Sequence, residues 1–307
     1  MKSNSINAKP FLKWAGGKTQ LIQQLEDRLP SSVKTSKKIK NYIEPFIGGG
    51  AFFFYLRNQY EMESSIIIDI NPEIILGYIT IQKKSSELIE GLKEIQDKYI
   101  SLTEEKRKIF FYDLRESFNK KIPSMDYKKF NPTWIERATQ LIFLNKTCFN
   151  GLFRQNSKGE FNVPFGDYKN PKICDELNIK ECSKALQNTE ILNGDFLITK
   201  PFVTEDTLIY LDPPYRPISK TSSFNSYSKG GFGDDEQKRL AVFFAEMSLR
   251  GAYLILSNSD PKNIDEDDNF FDEMYHNYKI DRIAASRMIN SKADKRGILN
   301  EILVTSF

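Results

Sequence analysis

The sequence predicts an α/β protein whose sheet is interrupted by a mainly helical insertion. Short apolar runs rich in β-branched residues occur towards both ends of the 307-residue chain. Such runs are typical of strands that are covered on both faces, as in parallel sheets. From residue 72 to 174, apolar residues recur at helical spacing instead. We therefore expect one α/β domain built from segments 1–71 and 175–307, with a helical domain at 72–174.

The first segment contains a strand, a glycine-rich turn, a helix and a second strand. Residues 41–43 form a short apolar strand, and Gly48-Gly49-Gly50 follows it. The apolar positions of 51–58 predict a helix, and the run at 65–68 predicts a second strand that ends at Asp69. This order is the one expected at the start of an α/β sheet.

The remaining elements follow the same two patterns. Helical spacing recurs at Leu88, Leu92 and Ile95 within the insertion, and again around Leu141. A further helix is predicted at 240–250. Strand-like runs return after the insertion at 190–192, 208–211, 253–256 and 301–304. We expect these strands to join the first two in one sheet.

The composition is that of an ordinary globular protein. Hydrophobic residues make up 40% and charged residues 28% of the chain, and the net charge is only +3, so charge alone does not indicate a nucleic-acid partner. The three cysteines lack CxxC spacing and His276 is the single histidine, which excludes a zinc or disulfide framework. No signal-peptide core or apolar stretch of membrane-spanning length is present. We expect a soluble cytoplasmic protein that does not act at a membrane.

Two glycine-rich segments are candidate ligand loops. Residues 11–19 end in Gly17-Lys18-Thr19, as a Walker A loop does, but Leu12 stands where that loop requires its first glycine. Residues 44–50 resemble a dinucleotide fingerprint, but Phe53 stands at the third glycine position. A glycine turn between strand and helix still fits a nucleoside-containing ligand at the carboxyl edge of a sheet. The alternative is a glycine turn without a ligand.

Carboxylates at predicted strand ends favour a cationic ligand over a phosphate. Glu44 and Asp69 end the first two strands, and Asp212 ends a later one. Asp69 stands where a carboxylate can hydrogen-bond a ribose diol. S-adenosylmethionine carries a sulfonium and an amine but no phosphate, so it suits these carboxylates better than NAD does. Lys18 is then available for the carboxylate of that ligand.

The segment Asp212-Pro213-Pro214-Tyr215 offers three groups to a planar amine. The Asp212 carboxylate is a hydrogen-bond acceptor. The two prolines stiffen the turn and leave its carbonyls unpaired. Tyr215 supplies a flat face on which a base can stack. These groups suit the exocyclic amine of a nucleobase; the alternative is a simple turn after a strand, since Asp and Pro favour turns for local reasons.

Together, these motifs closely resemble the Dam-type (D12 class, alpha group) DNA adenine-N6 methyltransferases, especially the subgroup that methylates GATC. The matching segments follow the family's order over nearly the whole chain; they are 11–18, 44–50, 69–71, 149–154, 159–166 and 212–215. The resemblance implies a Rossmann-like S-adenosylmethionine-dependent methyltransferase fold. Segments 1–71 and 175–307 would form its catalytic domain, and 72–174 its helical DNA-recognition domain.

The resemblance also implies which residues contact the methyl donor, S-adenosyl-L-methionine, and which contact DNA. The donor contacts would be Trp14, Ala15, Gly16, Lys18, Glu44, Phe46, Gly48, Asp69, Ile70, Asp195 and Asp212. The DNA contacts would be Lys13, Asn150, Leu152, Arg154, Pro164 and Tyr168. Arginine matches O6 and N7 of guanine in the major groove, so Arg154 is expected to recognise a guanine, with a phosphate contact as the alternative.

The implied reaction moves a methyl group from S-adenosylmethionine to N6 of an adenine in double-stranded DNA. The adenine lies within the base stack, so it must be flipped out. Tyr215 would stack on it, while the Asp212 carboxylate and the Pro213 carbonyl would accept hydrogen bonds from its amine. The donor is already activated, and no cysteine follows a proline. Neither a metal nor a covalent protein intermediate is therefore expected.

The sequence leaves several alternatives. Asp167 stands where the GATC enzymes usually carry arginine, between Gly166 and Tyr168, so a related adenine-containing site is an alternative target. Related tetrapeptides serve RNA guanine N2 and DNA cytosine N4, which are alternative acceptors. A DNA-binding module with an inactive donor pocket is the alternative from another class. Besides DNA, a cognate restriction endonuclease that acts on the same site without forming a stable complex is a partner compatible with the family.

Overall fold

The chain alternates between two structural units, each built from three separate segments. The computed structural model describes residues 6–14, 18–217, 232–286 and 298–307. The first unit comprises Met1–Gly17, Gly48–Gln59 and Asp69–Gly194. The second comprises Lys18–Ile47, Tyr60–Ile68 and Asp195–Phe307.

The second unit contains both β-strands and α-helices. Its strands are β1 (Lys38–Glu44), β2 (Glu61–Asp69, whose last residue is counted with the first unit), β4 (Leu208–Leu211), β5 (Tyr253–Ser259), β6 (Lys279–Ser286) and β7 (Ile298–Thr305). Its helices are α1 (Ile22–Asp27), α2 (Ser31–Ser36), α8 (Asp234–Leu249) and α9 (Phe270–Met274). The predicted apolar runs of this unit all fall within strands, which confirms those predictions.

These strands follow one another in the order β2-β1-β4-β5-β7-β6. Strand β1 is parallel to both β2 and β4, and β4 is parallel to β5. Strand β7 is antiparallel to β5 and β6. This mostly parallel arrangement confirms the predicted α/β class and the Rossmann-like methyltransferase fold. Because β1 and β4 run in the same direction, Glu44 and Asp212 lie at the same carboxyl edge.

A hydrophobic cluster packs against strands β1, β4, β5 and β7 of the second unit. Helix α8 buries Leu240, Phe243, Phe244 and Met247 against the strand residues of this unit, as the helical spacing predicted. Central strand β4 is buried at every position. Full burial on both faces explains why this strand has no polar alternation. It also fixes the position at which the following Asp212 leaves the sheet.

The first unit is mainly helical. It contains α3 (Ala51–Gln59), α4 (Pro72–Ser101), α5 (Glu104–Lys120), α6 (Thr133–Thr147), α7 (Glu176–Ala185) and β3 (Thr189–Asn193). Helix α4 packs against α6 and α7, and its backbone is non-helical at Lys84. Helices fill much of the segment 72–174, as the spacing predicted. The division of the chain into domains at residues 71 and 174 stays a prediction.

A buried ion pair joins two helices of the first unit. Glu73 in the first turn of α4 and Arg137 in α6 are 2% and 1% exposed at their side chains. The Arg137 Nε lies 3.0 Å from Glu73 Oε2, and the Tyr127 hydroxyl donates to Glu73 Oε1 at 2.5 Å. A buried charge is tolerated when it is paired and hydrogen-bonded in this way. The pair therefore ties the start of α4 to α6.

Membrane and metal signals are both lacking in the described part of the chain. None of its helices combines the length and apolar character needed to cross a membrane. Nor do those residues group three or more His, Cys, Asp or Glu side chains where a metal ion would fit.

Candidate active site

Asp212 follows strand β4 and is surrounded by two donors of the second unit. The Ser257 hydroxyl, on neighbouring strand β5, donates to Asp212 Oδ1 at 2.9 Å. The Lys18 ammonium lies 3.2 Å from the same oxygen. Burial raises the pKa of Asp212, while Lys18 and Ser257 act in the opposite direction. The carboxylate is thus a half-buried acceptor, 22% exposed, whose charge one nearby lysine stabilises.

The Tyr215 side chain is contacted at its hydroxyl and at the face of its ring. Its hydroxyl donates to Glu301 Oε2 on strand β7 at 2.5 Å. The Lys18 ammonium lies 4.0 Å from the centroid of its ring and 3.8 Å from Glu301 Oε2. Burial raises the pKa of the Tyr215 hydroxyl well above its usual value, so the hydroxyl stays a donor at neutral pH. One ammonium therefore contacts Asp212, Tyr215 and Glu301.

The Pro-Pro turn is held by side chains from the elements beside it. The Gln237 amide, on α8, donates to the Pro214 carbonyl at 3.1 Å. The side-chain oxygen of Gln237 accepts in turn from the Asn258 side-chain amide at 3.1 Å. The side-chain oxygen of Asn258 accepts from the backbone N–H of Arg216 at 3.1 Å. These bonds fix the backbone on both sides of Tyr215. The stiffness expected from two prolines is thus reinforced by tertiary contacts.

The other predicted donor-binding residues of the second unit are also partnered. Glu44, at the end of β1, is buried and accepts from the Tyr42 hydroxyl at 2.6 Å. Phe46 packs against Phe196, with ring centroids 5.6 Å apart. Asp195 accepts from Arg239 Nη2 at 2.6 Å. Each acidic group therefore has a donor that limits its rotation.

Asp69 is held by the backbone of the first unit. The Gly48 N–H donates to Asp69 Oδ2 at 3.0 Å, and the Asn71 N–H donates to Asp69 Oδ1 at 2.9 Å. Burial raises the pKa of Asp69 to about 6, against these backbone hydrogen bonds. Ile70, the residue between Asp69 and Asn71, is 65% exposed. The carboxylate therefore shapes the glycine turn as well as ending strand β2.

Trp14 explains two glycines of that turn. Gly48 has φ +46°, and a Cβ placed there would lie 2.9 Å from Trp14 Cδ1. A Cβ at Gly49 would lie 3.1 Å from Trp14 Cβ. The Trp14 ring also stacks on Phe153, with centroids 5.2 Å apart and an interplanar angle of 21°. The turn thus accepts only glycine at Gly48, for reasons of both backbone and space.

The predicted DNA-contacting residues all belong to the first unit and are mostly at its surface. Five of them are exposed, namely Lys13, Asn150, Arg154, Pro164 and Tyr168, while Leu152 is half-buried. Asn145 joins two of their segments, since its amide donates to the carbonyls of Lys13 and Gly151, each at 2.9 Å. The Arg154 Nε donates to Asn162 Oδ1 at 2.8 Å. The segment therefore presents an oriented guanidinium at the surface.

Comparison with known proteins decides the family. A family model described as D12 class N6 adenine-specific DNA methyltransferase matches residues 14–289. The chain belongs to this family. It is therefore an adenine-specific DNA methyltransferase, as the motifs predicted.

Named relatives of this D12 methyltransferase cover its whole length. It is 50% identical over 304 residues to the type II methyltransferase M.MjaIII of Methanocaldococcus jannaschii, covering 98% of this chain and 100% of the relative. It is 36% identical over 309 residues to the type II methyltransferase M1.LlaDCHI of Lactococcus lactis subsp. cremoris, covering 100% and 98%. It is 29% identical over 303 residues to the DNA adenine methylase of Escherichia coli K12, covering 99% and 95%.

In this D12 enzyme the structure groups the predicted site residues by unit. The second unit brings Lys18, Asp212 and Tyr215 into contact, and the first brings together Trp14, Gly48 and Asp69. Ala15 and Gly16 lie outside the described residues. The roles of all these residues in donor or DNA binding stay predictions.

The sequence did not indicate four residues that support these groups. Ser257 directly follows the predicted strand 253–256 and contacts Asp212, and Glu301 begins the predicted run 301–304 and contacts Tyr215. Asn145 bonds the predicted DNA segment, and the fourth residue, Gln155, accepts from the Asn71 side-chain amide at 2.9 Å. The one available signal was a glutamate within the apolar run 301–304, since a charged residue in a buried strand requires a partner.

Proposed function

We propose that this enzyme transfers a methyl group from S-adenosylmethionine to N6 of an adenine that it flips out of duplex DNA. The observation that carries the proposal is the contact set of Asp212 and Tyr215. A half-buried carboxylate with a lysine ammonium beside it can exchange that cation for an amine, and the adjoining aromatic ring provides a stacking surface. Both features suit the exocyclic amine of a planar base.

The residues present fit a donor that is cationic and free of phosphate. Three of the predicted donor-binding residues are carboxylates that end strands, Glu44, Asp69 and Asp212, and each has hydrogen-bond donors that keep it in place. Trp14 and Phe46 are the predicted donor-binding residues whose aromatic rings would suit an adenosine group. S-adenosylmethionine would supply a methyl group already activated for transfer. The protein then needs to bind, orient and exclude water rather than form a bond.

Nucleophilic catalysis by cysteine has no support in the site. Burial raises the pKa of Cys148 and of Cys182 to about 12, so both stay as thiols at neutral pH and are poor nucleophiles. The Cys174 pKa is raised in the same way. Direct transfer to the amine is the mechanism consistent with these thiols.

The chain's own residues would act on the acceptor by positioning and electrostatics. Flipping the adenine costs about a few kcal/mol, which stacking on Tyr215 would partly offset. The Asp212 carboxylate and the Pro213 carbonyl would each accept a hydrogen bond from the amine. This fixes its nitrogen and draws its lone pair out of conjugation with the ring, since charge developing on the nitrogen is stabilised by preorganised acceptors.

We further propose GATC, or a related adenine-containing site, as the target. The relative in Escherichia coli is named a DNA adenine methylase. Arg154 is held through Nε by Asn162, so its terminal nitrogens would meet guanine O6 and N7. Asp167, with φ +49°, departs from the arginine usual in the GATC enzymes, and a carboxylate repels phosphate. Asp167 therefore favours DNA contacts, at one side of the target sequence, that differ from those of the GATC enzymes.

The setting of the reaction is suggested by the relatives' names. Two of them are named type II methyltransferases, so we propose that the enzyme protects cytoplasmic DNA from a restriction endonuclease that acts on the same site. The two proteins would share a DNA sequence, not a stable interface.

Product analysis tests the proposed reaction. The enzyme is incubated with duplex DNA and labelled S-adenosylmethionine, and the DNA is digested to nucleosides. We expect N6-methyladenine, and its loss in Asp212→Ala but not in Asp235→Ala, whose carboxylate is 99% exposed on α8. N4-methylcytosine as the product, or full activity of Asp212→Ala, would contradict the proposal. Single-molecule sequencing of the methylated DNA gives the site.

A further inference from the structure

We propose that Glu301 is a positioning residue for methyl transfer, which acts by holding the Tyr215 ring at the angle needed to stack on the flipped base. The inference rests on the proposed function of Asp212 and Tyr215. It assigns a role to a residue outside the tetrapeptide, on a strand that is distant from it in sequence.

The backbone of Glu301 is fixed on both sides. Strand β7 lies between β5 and β6, and Glu301 pairs with Ser259 on one side and Ile283 on the other. Tyr215, by contrast, lies in an irregular turn after β4. A hydrogen bond from the turn to this strand therefore ties a loop side chain to the most rigid kind of support that the fold offers.

The side chain of Glu301 is in an environment that requires a partner. It is only 11% exposed, and a buried carboxylate is costly unless it is hydrogen-bonded or paired. Its Oε2 accepts from the Tyr215 hydroxyl at 2.5 Å, with the Lys18 ammonium 3.8 Å away. Hydrogen bonds to a charged acceptor are stronger than neutral ones. The phenol hydroxyl of Tyr215 is thus held by a charge-assisted hydrogen bond.

A tether at the hydroxyl controls the orientation of the ring. The turn holds the Cα of Tyr215 and Glu301 holds its hydroxyl, so rotation about the side-chain bonds is restricted at two points. Base stacking depends on the plane of the aromatic partner. Loss of the tether would leave the ring in place but free to tilt, which lowers the rate of transfer more than it lowers binding of the donor.

Lys18 gives Glu301 a second effect on the same site. The Lys18 ammonium already contacts one of the two acceptors proposed for the adenine amine, Asp212, at 3.2 Å, and lies 4.0 Å from the centroid of the Tyr215 ring on which the base would stack. An amine that enters must replace it at Asp212. Glu301 is the neighbouring carboxylate, so the displaced ammonium keeps an anionic partner without leaving the site.

A double-mutant cycle tests the tether. Single-turnover methylation is measured for wild type, Glu301→Ala, Tyr215→Phe and the double variant, together with the dissociation constant of S-adenosylmethionine. We expect each single variant to slow transfer about tenfold to a hundredfold, with donor affinity within about threefold. The double variant should be no slower than Tyr215→Phe alone, because the two changes remove the same hydrogen bond.

A conservative variant separates positioning from general damage to the fold. In Glu301→Gln the amide oxygen still accepts from the Tyr215 hydroxyl, so transfer should recover to within about fivefold of wild type. Glu63→Ala, at an exposed glutamate of β2, is the matched control and should leave the rate unchanged. If Glu301→Ala does not fold, the same cycle is run with Glu301→Met, whose apolar side chain has a similar length but cannot accept the hydrogen bond.

The outcomes distinguish this inference from the proposed function. Absence of N6-methyladenine from the wild-type product overturns the proposed function. If the wild type is active, two results overturn the tether alone. One is that the rate losses of the two single variants multiply in the double variant. The other is that Glu301→Gln is as slow as Glu301→Ala. Unchanged transfer in Glu301→Ala also overturns the tether.

Discussion

Two aspartates at strand ends, Asp69 in the first unit and Asp212 in the second, differ in their surroundings. Both are half-buried and have pKa values raised by burial. Asp69 is held by two backbone N–H groups, from Gly48 and Asn71. Asp212 is held by two side chains, from Ser257 and Lys18. Backbone donors cannot leave without unfolding the turn, whereas a lysine can move, so only Asp212 is suited to exchanging its partner for a substrate.

The largest effect is expected when each carboxylate is replaced by an amide. Asp212→Asn removes the charge that orients the amine and should lower kcat at least about a hundredfold, the size found for single groups that stabilise developing charge. Asp69→Asn keeps one of two backbone bonds and should instead raise the KM for S-adenosylmethionine. Steady-state kinetics of both variants separate the two roles. If both variants lowered kcat and left KM unchanged, the two carboxylates would not differ in role.

Gly48→Ala tests the glycine turn whose backbone N–H holds Asp69. The residue has φ +46° and no space for a Cβ beside Trp14, so we expect a loss of about 3 kcal/mol in the free energy of unfolding. Gly159→Ala is the matched control, since Gly159 has φ +80° but nothing within 4 Å of a Cβ. It should cost only about 1 kcal/mol, for the backbone strain alone. Urea unfolding measures both; equal losses would contradict the role of Trp14.

A smaller effect is expected in the pH dependence of stability. The pKa of Asp69 is raised to about 6 in the folded protein, above its unfolded value of about 4. Its contribution to stability is therefore fully present below about pH 4 and is lost as the pH rises through about 6. Relative to Asp69→Asn, the wild type should lose on the order of 2 kcal/mol over this range. Parallel curves for the two proteins would show that Asp69 does not titrate there.

The smallest effect is expected from Ser257→Ala. The Ser257 hydroxyl lowers the pKa of Asp212, so its removal should move the acidic limb of the kcat profile to higher pH. The lost hydrogen bond should lower kcat by up to about tenfold. Ser64→Ala, at an exposed serine of β2, is the control. A pH profile identical to that of wild type would show that Ser257 does not tune Asp212.

Local patterns predicted one half of the candidate site and missed the other. Asp69 and Asp212 were recognisable because they stand at the ends of apolar strands, and the Gly48 turn because its glycines come after a strand. Ser257 and Glu301 were not, because they reach Asp212 and Tyr215 through pairing between strands that are far apart in sequence. Strand β6 was also missed, since it lacks a continuous apolar run. Sequence spacing identifies the residues at the end of a strand, whereas sheet order determines which residues lie beside them.

The buried pair of Glu73 and Arg137 has a consequence for how this sequence can change over time. Removing one member leaves an uncompensated charge inside the protein, at a cost of about 3–5 kcal/mol, a large part of the stability of a typical domain. Replacing both with apolar residues of similar volume is often nearly neutral. Descendants of this chain can therefore keep both residues or lose both, but a lineage that loses them one at a time must pass through a poorly folded intermediate that carries only one.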